Sequence, residues 1–427
     1  MTTTEAPPEP SAPAIRSSRT KRWAARLVLA GVTALLTLFA AELVLRVLSP
    51  GYSPLFLDIY ALNDSGVLTL RPGIARRHVT AEWDVHVTIN RDGLRDREAP
   101  VSDGGGRVVV IGDSLAFGWG VELEESFSFV AEERLKGHGV RVIKAGVPGT
   151  GPNDQLRWLQ ARGETHEPDV VVASLFVGND FSDVQFGGVP AQFTVRDGLM
   201  VKRPLDDESV SWLYEAKEKL KRSSLLAQYA AQLLWTWERE HVAIHERTNP
   251  GLSAGDRWLW EFFQIHLKDA PQETQRSFEG TCAVLDGIDA WSRQHGAAML
   301  LLVIPRSFQV YPWELDQWTA SFQLSDEKLD LDRPQRVLTD WAQRRGVAIL
   351  DLLPLLREHA ARHPEDRAYF YPNAHMNATG HRLTGEWLAE GLAPMLTAAR
   401  HSGRRPTPWA QPATLSAACY RERSLLP

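Results

Sequence analysis

The sequence predicts an α/β domain built on a parallel sheet and preceded by one membrane-spanning helix. After residue 106, short runs of Val, Ile and Leu alternate with helical stretches, which is typical of strands buried on both faces of a sheet and joined by crossover helices. A single long apolar segment lies between residues 23 and 48. The mean hydropathy of the whole chain is −0.25, which excludes a protein with many membrane helices.

Composition narrows the function classes further. The chain has 427 residues, enough for two or three folding units, and 44% of them are hydrophobic. With 47 basic and 53 acidic residues the net charge is −6, so no chain-wide basic field exists and we expect no nucleic-acid partner. Two cysteines, Cys282 and Cys419, are too few for a disulfide framework or a four-thiolate metal site. Outside the cytoplasm they could form a bridge, but no spacing argument favours one.

The first 48 residues differ from the rest of the chain. Residues 1–22 are rich in Pro, Ser, Thr and charge, which predicts a disordered cytoplasmic tail. Residues 23–48 carry no charge from Leu27 to Ala41 and are long enough to cross a bilayer as one helix, so we expect an anchor in the cytoplasmic membrane. The positive-inside tendency then places the remainder outside the cytoplasm. The basic residues that precede the span are Arg16, Arg19, Lys21, Arg22 and Arg26.

Two other interpretations of this segment stay open. A cleaved signal peptide requires small residues at its cleavage site, and Phe39-Ala40-Ala41 lacks a small residue two positions before its end. A buried core helix would not explain the basic flank.

Residues 49–105 are predicted to be a connecting region with short strands. The segment His78 to Asn90 alternates apolar and polar residues, as strands do, and the following Arg91-Asp92-Gly93 is a turn signal. Glycines at 104–106 then indicate a linker.

The α/β domain is predicted over residues 106–400. Its expected helices lie at 127–136, 153–160, 336–345 and 378–396. Its expected strands lie at 107–111, 140–143, 170–177, 297–304 and 347–352.

An insertion interrupts the alternation at about residues 185–292. It begins with a predicted hairpin at 191–204, and residues 401–427 form a loosely ordered tail after the domain. Helices are expected in the insertion at 209–240, 257–267 and 273–294. The insertion is also rich in aromatic residues, most of which we expect in the core and a minority at a pocket or the membrane: Trp212, Trp235, Trp237, Trp258, Trp260, Phe262, Phe263 and Trp291.

Four loops that follow predicted strands contain chemically useful residues. Ser114 follows the first strand in RVVVIGDSLAFGWGV, and Gly149 lies in the glycine-rich loop after the second. Asn179 follows the third strand, and His375 precedes the last helix in YPNAHMN. Open α/β sheets bind ligands at the carboxyl ends of their strands, and these four residue types are the ones that acyl transfer requires.

With these blocks the sequence resembles the GDSL esterase/lipase family of the SGNH hydrolase superfamily, over about residues 107–185 and 296–396. Residues 89–95 and 117–121 are similar to its membrane-anchored bacterial branch. The resemblance implies a flavodoxin-like, three-layer fold, with Ser114 as nucleophile and His375 as general base. It also implies an oxyanion hole from the backbone N–H groups of Ser114 and Gly149 and the side-chain amide of Asn179.

One position departs from the family pattern. Members usually place an Asp two or three residues before the histidine, whereas this chain has Pro372 and Asn373. An Asn carbonyl can accept the imidazole N–H, as in Cys-His-Asn sites, but it cannot balance an imidazolium charge. A working triad with Asn373, a Ser-His dyad and a weakened enzyme therefore all remain open, and no spacing argument brings Glu365 or Asp366 to the site.

The expected function is hydrolysis of carboxylic esters of a carbohydrate or lipid through an acyl-serine intermediate, without cofactor or metal. One alternative is an O-acetyltransferase or acetylesterase acting on cell-envelope polysaccharide, and another is a non-catalytic envelope protein that binds acylated glycan or lipid. His241 and His245 have metal-ligand spacing, but no third ligand is near and we expect them to be solvated. His381 is expected to pack or cap a helix.

Overall fold

The chain begins with a long helix whose surface is apolar. The computed structural model describes residues 16–48, 56, 58–80, 82–98, 105–187, 193–196, 199–202, 216, 219–220, 223–237, 262–371 and 373–401. Helix α1 is Arg16–Leu48, and all side chains from residue 21 to 40 are exposed. Within the described residues it is the one helix long and apolar enough to cross a membrane. The prediction of a disordered tail up to residue 22 is corrected, because α1 already starts at Arg16. Arg and Lys are good helix formers, and they extend a helix that the apolar segment nucleates.

Residues 56–98 fold against the domain that follows. Strands β1 (Tyr60–Leu62) and β2 (Leu68–Leu70) pair antiparallel, as do β3 (Ala75–Val79) and β4 (Asp84–Thr88). Strand β4 lies within the segment predicted to form strands, His78 to Asn90, whereas β3 overlaps it only at its last two residues. Their buried side chains share one apolar cluster with Phe117 and Val147 of the next domain. The segment is therefore a packed subdomain more than a connection.

The central sheet has five parallel strands in the order β11-β10-β7-β5-β6. All five predicted strands are present, with small differences at their ends. In β7 every residue is buried, as expected for a strand covered on both faces. The strands after β4 are β5 (Arg107–Gly112), β6 (Arg141–Gly146), β7 (Val170–Phe176), β8 (Phe193–Arg196), β9 (Leu199–Lys202), β10 (Ala298–Ile304) and β11 (Ala348–Asp351).

Helices cover both faces of this sheet. The α-helices after α1 are α2 (Ser114–Phe117), α3 (Phe127–Leu135), α4 (Pro152–Arg162), α5 (Asp180–Phe186), α6 (Leu225–Trp237), α7 (Gln272–Gln294), α8 (Ser307–Val310), α9 (Pro312–Phe322), α10 (Arg333–Arg345), α11 (Leu353–Arg362) and α12 (Ala378–His401). Short 3-10 turns lie at Leu123–Glu125, Lys136–His138, Gly163–His166, Gln264–His266 and Asp326–Lys328.

Alternate residues of each strand face opposite layers. Val108 and Val110 pack with α3, α11 and α12, whereas Val109 and Ile111 pack with α4, α7 and α10. The result is a three-layer α/β fold with a parallel sheet, which confirms the predicted fold class.

The predicted insertion, about residues 185–292, includes a helix that packs on the sheet, α7. Strands β8 and β9 form the predicted hairpin, and α6 lies within the predicted helix at 209–240. Helix α7, however, buries Phe278 and Leu285 against the sheet and leads into β10, so it packs as one of the helices of the domain. The helix expected at 257–267 is described only from residue 262, where it ends in the 3-10 turn Gln264–His266.

Several predictions fall outside the described residues. These are the tail before residue 16, the histidines His241 and His245, three of the tryptophans (Trp212, Trp258 and Trp260), and the tail after residue 401 with Cys419. Cys282 is a half-buried free thiol in α7, while Phe263 and Trp291 are buried, as expected of the aromatic residues.

Candidate active site

The turn after β5 presents Ser114. Gly112 ends the strand in a place where a Cβ would lie 2.5 Å from the Cβ of Ala116, so only glycine fits. Asp113 then caps α2, because its Oδ1 accepts the Leu115 N–H at 2.9 Å. Ser114 is the first residue of α2 and stays partly exposed at the carboxyl edge of the sheet.

The four residues predicted from the sequence blocks share this edge. Gly149 follows β6 with φ +76°, a left-handed conformation that favours glycine. Asn179 follows β7, which lies beside β5. Ser114, Gly149, Asn179 and His375 are all partly exposed, and their immediate chain neighbours are buried except for Ala374. They are therefore accessible positions at an otherwise buried edge.

Ser114, His375 and Asn373 form a continuous hydrogen-bonded chain. His375 Nε2 lies 2.8 Å from Ser114 Oγ, and His375 Nδ1 lies 2.5 Å from Asn373 Oδ1. The backbone N–H of His375 also donates to Asn373 Oδ1, at 3.2 Å. Because a backbone N–H can only donate, it selects the amide oxygen of Asn373 over its NH₂ group. Nδ1 then carries the ring proton, and the lone pair of Nε2 faces Ser114.

Burial, with a contribution from the Arg306 guanidinium, lowers the pKa of His375 to about 4. The imidazole is therefore neutral at ordinary pH, which is the form that can accept a proton. Asp366 does not supply the missing carboxylate: its Oδ1 accepts the Thr379 hydroxyl at 2.8 Å, and its Oδ2 faces His359 at 3.5 Å.

Glu82 is a site residue that the sequence blocks did not indicate. It lies in the turn between β3 and β4, and its Oε1 accepts the backbone N–H of Asn373 at 3.1 Å. It is separated from Asn373 by 291 positions along the chain, so no local spacing signal could reveal the contact. The upstream subdomain thus holds the loop that carries Asn373.

Asn179 is held among carboxyl groups. Its Nδ2 donates to Asp183 Oδ2 at 2.5 Å. Burial raises the pKa of Asp183 to about 7 and that of Asp113 to about 6, and burial together with Asp113 raises the pKa of Asp180 well above its usual value. These raised pKa values reduce the negative charge beside Asn179, which favours an anion forming there.

An aromatic side chain, Trp119, lies beside His375. The Trp119 ring lies 6.1 Å from the His375 ring between centroids, and 4.8 Å from the ring of buried His78. Arg95 fixes the loop that carries Trp119, since its guanidinium donates to the carbonyl oxygens of Gly118 at 2.5 Å and Val121 at 2.6 Å. Arg95 is only 1% exposed, and burial lowers its pKa to about 10.

His381 lies behind the site. Its Nδ1 accepts the N–H of Phe127, the first residue of α3, so it packs and caps as expected. Burial lowers its pKa to about 3. Within the described residues, no three His, Cys, Asp or Glu side chains are grouped so that they could hold a metal ion.

The chain is similar to known proteins. A model of the GDSL-like lipase/acylhydrolase family matches residues 110–383, whereas no curated protein matches the sequence.

The structure resembles that of TesA, at 14% identity over 68% of this chain and 99% of that one, with a TM-score of 0.34. It also resembles the acetyl xylan esterase AlAXEase, at 14% identity over 67% and 97% of the two chains, with a TM-score of 0.35. A G-D-S-L family protein from Desulfitobacterium hafniense DCB-2 matches at 14% identity over 67% and 99%, with a TM-score of 0.34. Because the family model covers more than half of the sequence, the chain belongs to the GDSL-like lipase/acylhydrolase family.

Proposed function

We propose that this protein is a membrane-anchored serine esterase that cleaves carboxylic esters through an acyl-serine intermediate. The observation that carries the proposal is the 2.8 Å contact between Ser114 Oγ and a neutral His375 whose lone pair faces it. A nucleophile, an adjacent base and a group that orients the base are the parts of a covalent hydrolase.

The first half of the reaction forms the acyl-enzyme. His375 Nε2 takes the Ser114 hydroxyl proton as Oγ attacks the ester carbonyl carbon. The carbonyl oxygen gains negative charge, which the N–H groups of Ser114 and Gly149 and the amide of Asn179 stabilise. Each fixed donor of this kind contributes about 3–4 kcal/mol in a comparable site. The imidazolium then protonates the leaving alcohol oxygen as the ester C–O bond breaks.

The second half returns the enzyme to its resting state. A water molecule gives one proton to His375 Nε2 and attacks the acyl carbon, and the proton returns to Ser114 Oγ as the carboxylic acid leaves. Throughout, Asn373 Oδ1 accepts the proton on Nδ1 and keeps the ring in the tautomer that both halves need.

The test is ester hydrolysis by the full chain in detergent. We expect turnover of p-nitrophenyl acetate and butyrate and covalent labelling by a fluorophosphonate, with both lost in Ser114→Ala. The matched control is Ser65→Ala, an exposed turn serine, which should leave both unchanged. A rate in Ser114→Ala within about tenfold of the parent would contradict the nucleophile assignment, since loss of such a group costs about 10⁶-fold in a serine protease.

The same assay separates the alternatives. Acyl transfer to an added sugar hydroxyl faster than hydrolysis would indicate an O-acetyltransferase. The absence of both turnover and labelling would indicate a binding protein.

We propose that α1 anchors the protein in the cytoplasmic membrane with the hydrolase domain outside. The exposed apolar surface of α1 and the five basic residues at its start support this orientation. A topology reporter fused after residue 48 should be active only outside the cytoplasm, and activity inside would reverse the orientation.

A further inference from the structure

Among the described residues, the insertion contacts the apolar helix α1 at the start of α6. Along α1, the side chains of residues 21–48 are exposed except Ala41, Glu42 and Leu45, which are partly covered. Helix α6 begins beside these three residues and packs against α1 there.

Glu42 makes this contact specific. Its carboxylate accepts the Leu225 and Leu226 N–H groups, each at 3.0 Å, and the Ser224 hydroxyl at 2.8 Å. The carboxylate also pairs with Arg46 at 2.8 Å, and Arg46 in turn donates to the Ser223 carbonyl oxygen at 2.7 Å. A carboxylate inside a membrane span is costly unless donors surround it, and here the start of α6 supplies three of them.

The depth of the contact follows from helix geometry. Glu42 lies six residues before the end of α1 at Leu48, which corresponds to about 9 Å along the helix axis. If α1 crosses the membrane as proposed above, α6 therefore begins below the edge of the span, on the side of the hydrolase domain.

Helix α6 has the composition of a segment in contact with lipid. No charged residue occurs from Ser223 to Trp237, and the segment ends in Trp235-Thr236-Trp237, a residue type enriched at membrane interfaces. Leu233 is 64% exposed and Leu234 is 62% exposed, fractions similar to those of the leucines on α1. At 13 residues, or about 20 Å, α6 is too short to span the roughly 30 Å apolar core of a bilayer.

We propose that α6 enters the acyl-chain region of the membrane beside α1, on the side of the hydrolase domain. The occupant of its exposed apolar face is lipid, because α6 begins at the depth that Glu42 sets, carries no charged residue, and exposes Leu233 and Leu234 as fully as α1 exposes its leucines. The inference rests on the proposed anchoring by α1. The membrane then holds the domain at two helices, which restricts its rotation about the anchor.

The test measures contact with lipid at single positions. In the full chain with Cys282→Ser and Cys419→Ser, one cysteine at a time is introduced as Leu233→Cys, Leu35→Cys or Lys136→Cys and labelled with a fluorophore. All three positions are exposed, so the changes leave the core intact. Each variant is reconstituted into phosphatidylcholine vesicles with and without doxyl-labelled acyl chains, which quench fluorophores within the bilayer.

We expect strong quenching at positions 35 and 233 and none at 136. Quenching at 35 without quenching at 233 would overturn this inference while leaving the anchor in place. The absence of quenching at 35 would instead refute the proposed anchor, and the ester assay would still report on Ser114. An unquenched but blue-shifted label at 233 would mean that protein covers α6, and this outcome too would overturn the inference.

A variant at Glu42 tests the contact itself. Glu42→Leu removes the acceptor for the start of α6, so quenching at position 233 should fall while quenching at position 35 stays the same. Glu42→Gln keeps one carbonyl oxygen and should retain most of the quenching at 233. Unchanged quenching at 233 in Glu42→Leu would contradict the role of Glu42.

Discussion

In the proposed catalytic site, Asn373 stands where the family resemblance implies a carboxylate that orients the histidine. Its Oδ1 accepts both the ring N–H and the backbone N–H of His375, so the amide is held with its oxygen toward the ring. This local geometry keeps His375 in the tautomer with the proton on Nδ1, although an Asn side chain could otherwise favour the other tautomer. A neutral amide, however, does not balance the charge of an imidazolium.

Asn373→Asp should raise the esterase rate and shift its pH dependence. The base is active when neutral, so in the parent protein the rate should fall only as the pH drops through the His375 pKa, about 4. A carboxylate at position 373 favours the imidazolium and raises that pKa, so the acidic limb of the profile moves to higher pH while the plateau rate increases about tenfold or more. The measurement is kcat/KM of p-nitrophenyl acetate hydrolysis from pH 4 to 9.

The matched control for this substitution is Asn377→Asp, which lies two residues beyond the histidine and bonds the Arg367 carbonyl oxygen through its amide. It should not shift the acidic limb. An unchanged limb in Asn373→Asp would mean that position 373 does not influence the charge state of the base.

At the scale of elements, the turn between β3 and β4 supports the loop that carries Asn373 and His375. Glu82 from this turn accepts the Asn373 N–H, while Trp83 packs against Phe370 with ring centroids 5.2 Å apart. The loop between α11 and α12 is thus held by a hairpin that lies far before it in the sequence. Glu82 acts through Asn373 and is a positioning residue.

Glu82→Ala should lower kcat about tenfold with KM little changed, because losing the hydrogen bond that the Asn373 N–H donates to the carboxylate costs about 1.5 kcal/mol and loosens Asn373. Glu82→Gln keeps an acceptor oxygen and should restore most of the rate, which a merely structural effect of losing the charge would not do. The control is Glu124→Ala, an exposed glutamate in a neighbouring turn. Equal kcat values in Glu82→Ala and the control would refute the positioning role.

For the whole molecule, a buried ion cluster joins the upstream subdomain to the sheet. Lys144 of β6 contacts Asp96 at 3.0 Å and Glu132 of α3 at 2.7 Å, and Arg141 contacts Asp96 at 2.6 Å. Burial raises the pKa of Glu132, but the positive charges of Lys144 and Arg141 lower it by more. The pKa of Glu132 is therefore below its usual value. The stability from Glu132 is therefore complete above its unfolded pKa, about 4.3, and is lost as the pH falls through its lower folded value.

Lys144→Met should destabilise the protein by about 3–5 kcal/mol at pH 7, because it leaves Asp96 and Glu132 buried with less compensation. The measurement is the thermal inactivation midpoint of the full chain in detergent. Lys136→Met, at an exposed surface pair, is the control and should shift the midpoint little. A similar midpoint for the two variants would mean that Arg141 and Arg97, which contacts Glu132 at 2.8 Å, neutralise the cluster without Lys144.

Much of the fold follows from local patterns. Continuous apolar runs identified β5, β6, β7, β10 and β11, because strands covered on both faces have no polar side. The sequence places α7 in the insertion, because the spacing of its apolar residues shows that the helix is amphipathic but does not show which surface it covers. Similarly, the sequence predicts only a connecting region at residues 49–105, because the apolar residues of this segment pack on Phe117, a partner that lies outside it.

The sequence by itself determined the α/β class, the apolar first helix, and Ser114, Gly149, Asn179 and His375 as candidate site residues, since each depends on short-range spacing and on the rule that parallel strands end at one edge. Tertiary structure alone decided that Asn373 faces the histidine with its oxygen, that Glu82 holds Asn373 from 291 positions away, and that Glu42 meets the start of α6. The Glu82 and Glu42 contacts join segments far apart in the chain, and the orientation of Asn373 depends on how its loop is held. Their strength comes from burial and orientation, which no spacing of residues along a sequence encodes.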